Sequence, residues 1–182
     1  MSRIRVYCAV SLDGFIAGPD DDLSWLGEPD PEEVGDPGTV GFSAFMEQTG
    51  AMLMGRRTFD TVMGFEGDWP YGSTPVFVAT SRPLSDAPAT VSTCHGDIQQ
   101  LCGQAKHVAG DKNVYLDGGN IISQALDAGC VDELILTVVP VLLGQGVPLY
   151  RGRQLQRFNA EYLGRLGEMM QMKMTKAAQL AS

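Results

Sequence analysis

The stretch that most restricts what this chain can fold into is Asn113 to Leu126, NVYLDGGNIISQAL. A short apolar run, Val114-Tyr115-Leu116, stops at Asp117-Gly118-Gly119-Asn120. It is followed by Ile121, Ile122, Ala125 and Leu126 at helical spacing, which reads as strand, tight turn and helix. Glycines without Cβ atoms permit positive φ and let another body come close to the backbone. The first N–H groups of the helix are unpaired and carry the positive end of its dipole, so such a turn can hold a diphosphate without a basic side chain. A packing turn has the same local sequence, and the choice between the two rests on where the other polar clusters fall.

Those clusters repeat the pattern. Arg3 to Val10 reads as a strand ending in Ser11-Leu12-Asp13-Gly14. Ala51 to Met54 reads as a strand buried on both faces that runs into Gly55-Arg56-Arg57-Thr58, and Pro75 to Ala79 as another that stops at Thr80-Ser81-Arg82-Pro83. Helices suit Val40 to Gln48, the apolar spacing Phe59, Val62, Met63, and the spacing Ile98, Leu101, Cys102, Ala105. Gly27 to Gly38 is a surface loop by composition, and Ala89 to Thr93 a weaker strand. Glu133 to Val139 is the strongest strand, and the tail forms an antiparallel pair, Leu155 to Leu163 and Met169 to Thr175, around a turn at Gly164 to Gly167. The expected fold is α/β in one domain: a mostly parallel central sheet flanked by helices, with an antiparallel C-terminal pair.

In open α/β sheets ligands bind outside the carboxyl ends of the strands, so the four polar loops converge on one cleft. Helix starts at Arg56 and Gly119 would hold a diphosphate and Thr58 would add a hydroxyl. Arg57 and Arg82 would grip a further phosphate such as the 2′-phosphate of NADP. Solvated surface charge is the other reading of each arginine.

Composition removes several classes. A net charge of −9 argues against nucleic acid and anionic membranes as partners, since both need a basic face. No apolar run approaches the ~20 residues of a membrane span, and the first residues run straight into a strand pattern, so the expected location is the cytoplasm. Cys8, Cys94, Cys102 and Cys130 are scattered, with no C-x-x-C pair and no histidine at ligand spacing, which points to neither a metal nor a disulfide framework. His95 and His107 read as loop and helix-surface residues.

The segments SLDGFIAG, MGRRTF, ATSRP, LDGG and DELILTVVPVLLGQGVPL, in this order, resemble the dihydrofolate reductase-like superfamily. The closest likeness is to the reductase domain of the bifunctional riboflavin-biosynthesis deaminase-reductases and its stand-alone relatives. The resemblance implies an NADPH-dependent reductase and a homodimer. Gly55, Arg56, Arg57 and Thr58, with Gly118, Gly119, Asn120 and Ile121, would bind the cofactor diphosphate. Thr80, Ser81 and Arg82 would take the adenosine side, and the loop from Ser11 to Gly18, Gly14 included, would lie beside the nicotinamide. By the same likeness Asp13 is the candidate proton donor or substrate-orienting group, its other reading being a turn-stabilising residue before Gly14. Trp25 resembles the tryptophan that closes this loop in dihydrofolate reductases, and Trp25 and Phe45 are the expected substrate contacts.

Departures from the family narrow the substrate. The carboxylate that dihydrofolate reductases place on their first long helix aligns near Gly41, with Glu47 about a turn and a half later. Tyr7 stands where riboflavin reductases usually have a lysine, their arginine-containing phosphate segment has no counterpart, and the deaminase signatures are absent. The expected reaction is hydride transfer from NADPH to a small heterocyclic or imine- or carbonyl-like substrate. The alternatives are a riboflavin-pathway pyrimidine or a pteridine/folate reductase, or a nucleotide-binding protein without turnover.

Overall fold

The structure, a computed structural model, describes residues 2–27 and 35–177. Ten strands and four α-helices are found there: β1 Ile4–Ser11, β2 Phe15–Ala17, α1 Phe42–Glu47, β3 Thr49–Gly55, α2 Arg56–Met63, β4 Val76–Ala79, β5 Val91–Cys94, α3 Ile98–Ala109, β6 Asn113–Asp117, α4 Gly119–Asp127, β7 Glu133–Val139, β8 Val147–Pro148, β9 Phe158–Leu166 and β10 Met169–Lys176. Most of the expected loop at Gly27 to Gly38 lies outside the described residues.

Eight strands form one sheet in the order β5-β4-β3-β6-β1-β7-β10-β9. Pairing is parallel from β5 to β7 and antiparallel for β7-β10-β9. The apolar runs of β3, β6 and β7 are buried because helices cover both faces. Alternation along β3 divides the core: Ala51 and Leu53 pack with α3 and α4, while Met52 and Met54 face the other way with Phe59 and Val62 of α2 and Phe45 of α1.

Phe45 is the centre of that second layer. It is 1% exposed, stacks on Tyr7 at 4.9 Å and meets Tyr115 edge-on at 5.1 Å. The guanidinium of Arg5 lies over the same ring at 4.8 Å and is held by Glu133, with Nε donating to Oε1 at 2.7 Å. Phe45 is therefore core, which corrects its assignment as a substrate contact: the aromatic side chains close the space between α1 and the sheet. Glu47, one helical position beyond this cluster, is exposed.

Two features depart from the sequence expectation. The turn of the tail is Gly167-Glu168, not Gly164 to Gly167, and β9 continues to Leu166. Gly164 stays in the strand because the 35–39 segment packs on it: a Cβ there would stand 2.6 Å from Asp36 Cβ, and Asp36 Oδ2 accepts the Arg165 N–H at 2.8 Å. The second is a two-stranded antiparallel ribbon, β2 with β8, closed by Leu149 N–H donating to the Gly14 carbonyl at 2.9 Å. Neither segment is long enough to show a period of two.

Phe45→Ala should cost about 3–5 kcal/mol of unfolding free energy, the range for emptying a well-packed aromatic site. Urea unfolding measures it, and a loss below about 1 kcal/mol would contradict the packing described.

Candidate functional site

Each parallel strand of the sheet ends at the same edge, and a cleft of about 730 Å³ opens there, within the usual range for small-molecule and cofactor sites. Gly55, Arg56, Arg57 and Thr58 line one wall, at the passage from β3 into α2. Gly118, Gly119, Asn120 and Ile121 line it beside them, at the passage from the adjacent strand β6 into α4. Thr80 and Ser81 follow β4 at one end of the cleft, with His95 and Gly96 beyond β5, and Ile16 and Ala17 of β2 cover it from the ribbon side.

The glycine turn is required, though the close neighbours are parts of the chain itself. Gly118 has φ +90, and a Cβ there would lie 2.1 Å from Thr58 Oγ1. A Cβ on Gly119 would lie 2.6 Å from the Pro148 carbonyl. The two glycines let α2 and the ribbon close on the start of α4. The N-cap residues of α2 and α4, Gly55 and Gly118, supply no side-chain cap, and among the described residues none is found on either first turn. Their leading N–H groups are thus available to an anion in the cleft.

The arginines differ. Arg56 Nε bonds Asp60 at 2.7 Å and its Nη1 donates to the Pro83 carbonyl at 2.9 Å, so its side chain braces α2. Arg57 projects into the cleft mouth and pairs with Asp21. Arg82 is exposed and outside the cleft, with its backbone N–H on Thr80 Oγ1 at 3.1 Å. Arg151, not anticipated from sequence, lines the cleft from beyond β8.

Asp13 and Gly14 also lie outside the cleft. The Asp13 carboxylate accepts the Ser11 hydroxyl at 2.6 Å and the N–H groups of Gly144 and Leu143 at 2.7 and 3.1 Å. These bonds, the Ser11 hydroxyl first, hold its carboxyl down at about 2. These bonds match the turn-stabilising reading of Asp13: its carboxylate ties the end of β1 to the loop after β7. Trp25 sits half-buried in a short turn beside the cleft, and from this segment it is Leu23 that reaches the lining.

Two carboxyls line the cleft: Asp21, which pairs with Arg57, and Asp117, the last residue of β6. Burial raises it to about 6, partly offset by the Gly118 N–H, which donates to Oδ1 at 2.8 Å, and by the hydroxyl of Tyr71. Tyr71 lines the cleft too, braced edge-on by Trp69 at 5.0 Å. Sequence reasoning used Asp117 only as a turn residue; the signal available was an acidic side chain closing an otherwise apolar strand.

The profile of the RibD C-terminal domain family matches residues 3–181. The chain belongs to that family. A crystal structure of a protein from Shewanella sp. PV-4, provisionally assigned to riboflavin biosynthesis, is 33% identical, with a TM-score of 0.83 over 97% of this chain and 99% of that one. The uncharacterized protein YwjB of Bacillus subtilis (strain 168) is 32% identical over 146 residues, 80% of each chain. Dihydrofolate reductase of Enterococcus faecalis shares the fold at 13% identity, with a TM-score of 0.62 over 97% of both chains. The α/β dihydrofolate reductase-like class and the likeness to riboflavin-pathway reductase domains expected from sequence both hold. Among the described residues no helix is long and apolar enough to cross a membrane.

Asp117 gives a stability test with a definite sign. Its folded value of about 6 stands above the ~3.9 of an unfolded aspartate, so its contribution is fully present below about pH 4 and is lost as pH rises through about 6. Asp117→Asn should therefore be more stable than the parent at pH 8, by roughly 2–3 kcal/mol, with the difference vanishing near pH 4. Thermal unfolding across that interval measures it, and a difference independent of pH would refute the raised carboxyl.

Proposed function

We propose that this protein is an NADPH-dependent reductase that transfers a hydride to a small heterocyclic or imine- or carbonyl-like substrate. The observation that carries the reading is that two helix starts without a side-chain cap from their N-cap glycines, at Arg56 and Gly119, open on one cleft that the Asp117 carboxyl also lines. The residues fit the cofactor. Helix starts suit a diphosphate, Arg57 suits a further phosphate, Thr80, Ser81 and His95 stand at the end suited to the adenosine, and Ile16 with Ala17 gives the other end an apolar cover.

Reduced nicotinamide, when bound, supplies the hydride. The protein's part is to orient the reacting carbon and to supply a proton to the atom that gains charge. Asp117 is the group for that proton. Its carboxyl near 6 leaves a usable protonated fraction at neutral pH, whereas the Asp13 carboxyl near 2 leaves almost none. Tyr71, braced by Trp69, orients the carboxyl. Tyr7, where riboflavin reductases usually carry lysine, donates to the Val40 carbonyl at 2.9 Å and joins the Phe45 cluster, so this position offers no cation to a ribosyl phosphate. That favours a smaller, uncharged substrate over the riboflavin-pathway intermediate. Family likeness further supports a cytoplasmic homodimer, for which sedimentation should give twice the mass of one chain.

Thermal shifts with NADPH, NADH and FMN test the cofactor. NADPH at ~100 times its Kd should add about 2.7 kcal/mol, NADH less, and FMN nothing. Asp117→Asn should keep the NADPH shift and slow turnover by roughly 10²-fold, while wild-type turnover falls as pH rises through about 6. An NADPH shift without oxidation of NADPH by any candidate substrate would leave a nucleotide-binding protein instead.

A further inference from the structure

One ion pair crosses the mouth of the cleft. Arg57 Nε donates to Asp21 Oδ2 at 2.5 Å, joining the first turn of α2 to the loop after β2, and both residues line the cleft. The pair is open to competition, since the Arg57 side chain is 66% exposed and that of Asp21 27%.

The backbone that presents Asp21 is unusual. Asp20 and Asp21 are consecutive left-handed residues, at φ +54 and +63. L-residues seldom adopt this conformation twice in succession, and aspartate is among the few that tolerate it. The turn is held by Gly18 N–H on the Asp22 carbonyl at 2.8 Å and by Asp22 N–H on the Pro19 carbonyl at 3.1 Å. Asp20 is exposed, so apolar packing does not account for the conformation. Its effect is to bring the Asp21 carboxylate onto the guanidinium. The neighbouring arginines have other partners: Arg56 bonds Asp60 and the Pro83 carbonyl, and Arg151 the Gly146 carbonyl at 3.3 Å. Arg57 is the arginine of this wall whose described side-chain partner is an anion from a loop across the cleft.

We propose that Asp21 is a built-in competitor for the phosphate position: its carboxylate holds Arg57, and a phosphate-bearing ligand reaches that arginine only by displacing it. The inference rests on the reading of the cleft as a phosphate-binding site. It makes the loop after β2 responsive to phosphate, because the displaced Asp21 no longer has the contact that favours its left-handed turn. Specificity follows as well. A doubly charged phosphate outcompetes a carboxylate at a guanidinium, whereas a neutral ribose hydroxyl does not.

The test uses Asp21→Asn, which removes the charge and keeps a residue that tolerates left-handed φ. Inorganic diphosphate is the probe, titrated calorimetrically into the full-length protein, because Arg57 stands in the first turn of α2, whose N–H groups would hold it, whether or not the cleft takes a dinucleotide. Asp21→Asn should bind diphosphate about 2- to 5-fold more tightly than wild type, the range that an exposed ion pair carries. The gain should be absent for Asp20→Asn, and absent when Asp21→Asn is made in an Arg57→Ala background. Equal or weaker diphosphate binding by Asp21→Asn, undetectable binding to both proteins included, overturns the proposal, as does a gain that survives Arg57→Ala. A parallel titration with NADPH separates the two readings: its failure in every variant, with the diphosphate gain intact, removes the dinucleotide and leaves the competitor.

Discussion

The contact on which the site depends is that of Thr58 with Gly118. The Thr58 hydroxyl occupies the space that a Cβ on Gly118 would fill, at a φ of +90 that L side chains rarely adopt. Two constraints thus demand glycine at one position, one conformational and one steric. Their result is that the first turn of α2 and the first turn of α4 are held against each other, each with free N–H groups toward the same cleft. The ribbon of β2 and β8 completes the arrangement, since the Pro148 carbonyl also sits where a Cβ on Gly119 would go, at 2.6 Å. A side chain at either glycine would separate the walls before it touched any ligand.

Much of this was legible beforehand. The parallel strands announced themselves as apolar runs ending in polar loops, and the rule that such loops converge at the carboxyl edge located Gly55 to Thr58, Thr80-Ser81 and Gly118 to Ile121 on one cleft. What sequence could not resolve was the direction of individual side chains. Asp13 and Asp117 are both acidic residues one position before a glycine at a strand end, yet the first is fixed in a hydrogen-bonded clasp and the second is raised by burial. The difference comes from what packs around each carboxyl, the loop at Leu143 and Gly144 for one and Tyr71 for the other, and both lie far away in sequence. Phe45 shows the same limit: helical spacing gave its face, while the rings of Tyr7 and Tyr115 that bury it arrive from two different strands. The ribbon was invisible because three- and two-residue strands carry no period.

The chain belongs to the RibD C-terminal domain family, and Tyr7 is where it departs from the pattern its sequence resembles. Where that family's riboflavin enzymes usually have a lysine, Tyr7 turns its hydroxyl to a backbone carbonyl and its ring to Phe45. Gln171, fully buried, extends the same tie by accepting the Val40 N–H at 2.6 Å and donating to the Val40 carbonyl at 3.0 Å. Tyr7, Gln171 and Phe45 together make this face of the sheet an aromatic wall. The cations that remain at the cleft, Arg57 and Arg151, stand at its mouth and beyond β8 rather than at this position.

The brace behind Tyr71 has an optical consequence. The chain holds two tryptophans, and Trp69 stands edge-on at 5.0 Å from a tyrosine that itself forms part of the cleft wall. Indole emission is sensitive to such a neighbour's displacement and overlaps the absorption band of reduced nicotinamide. The protein consequently carries its own fluorophore behind the cleft wall, and occupancy there can be read as a change in emission without attaching a dye.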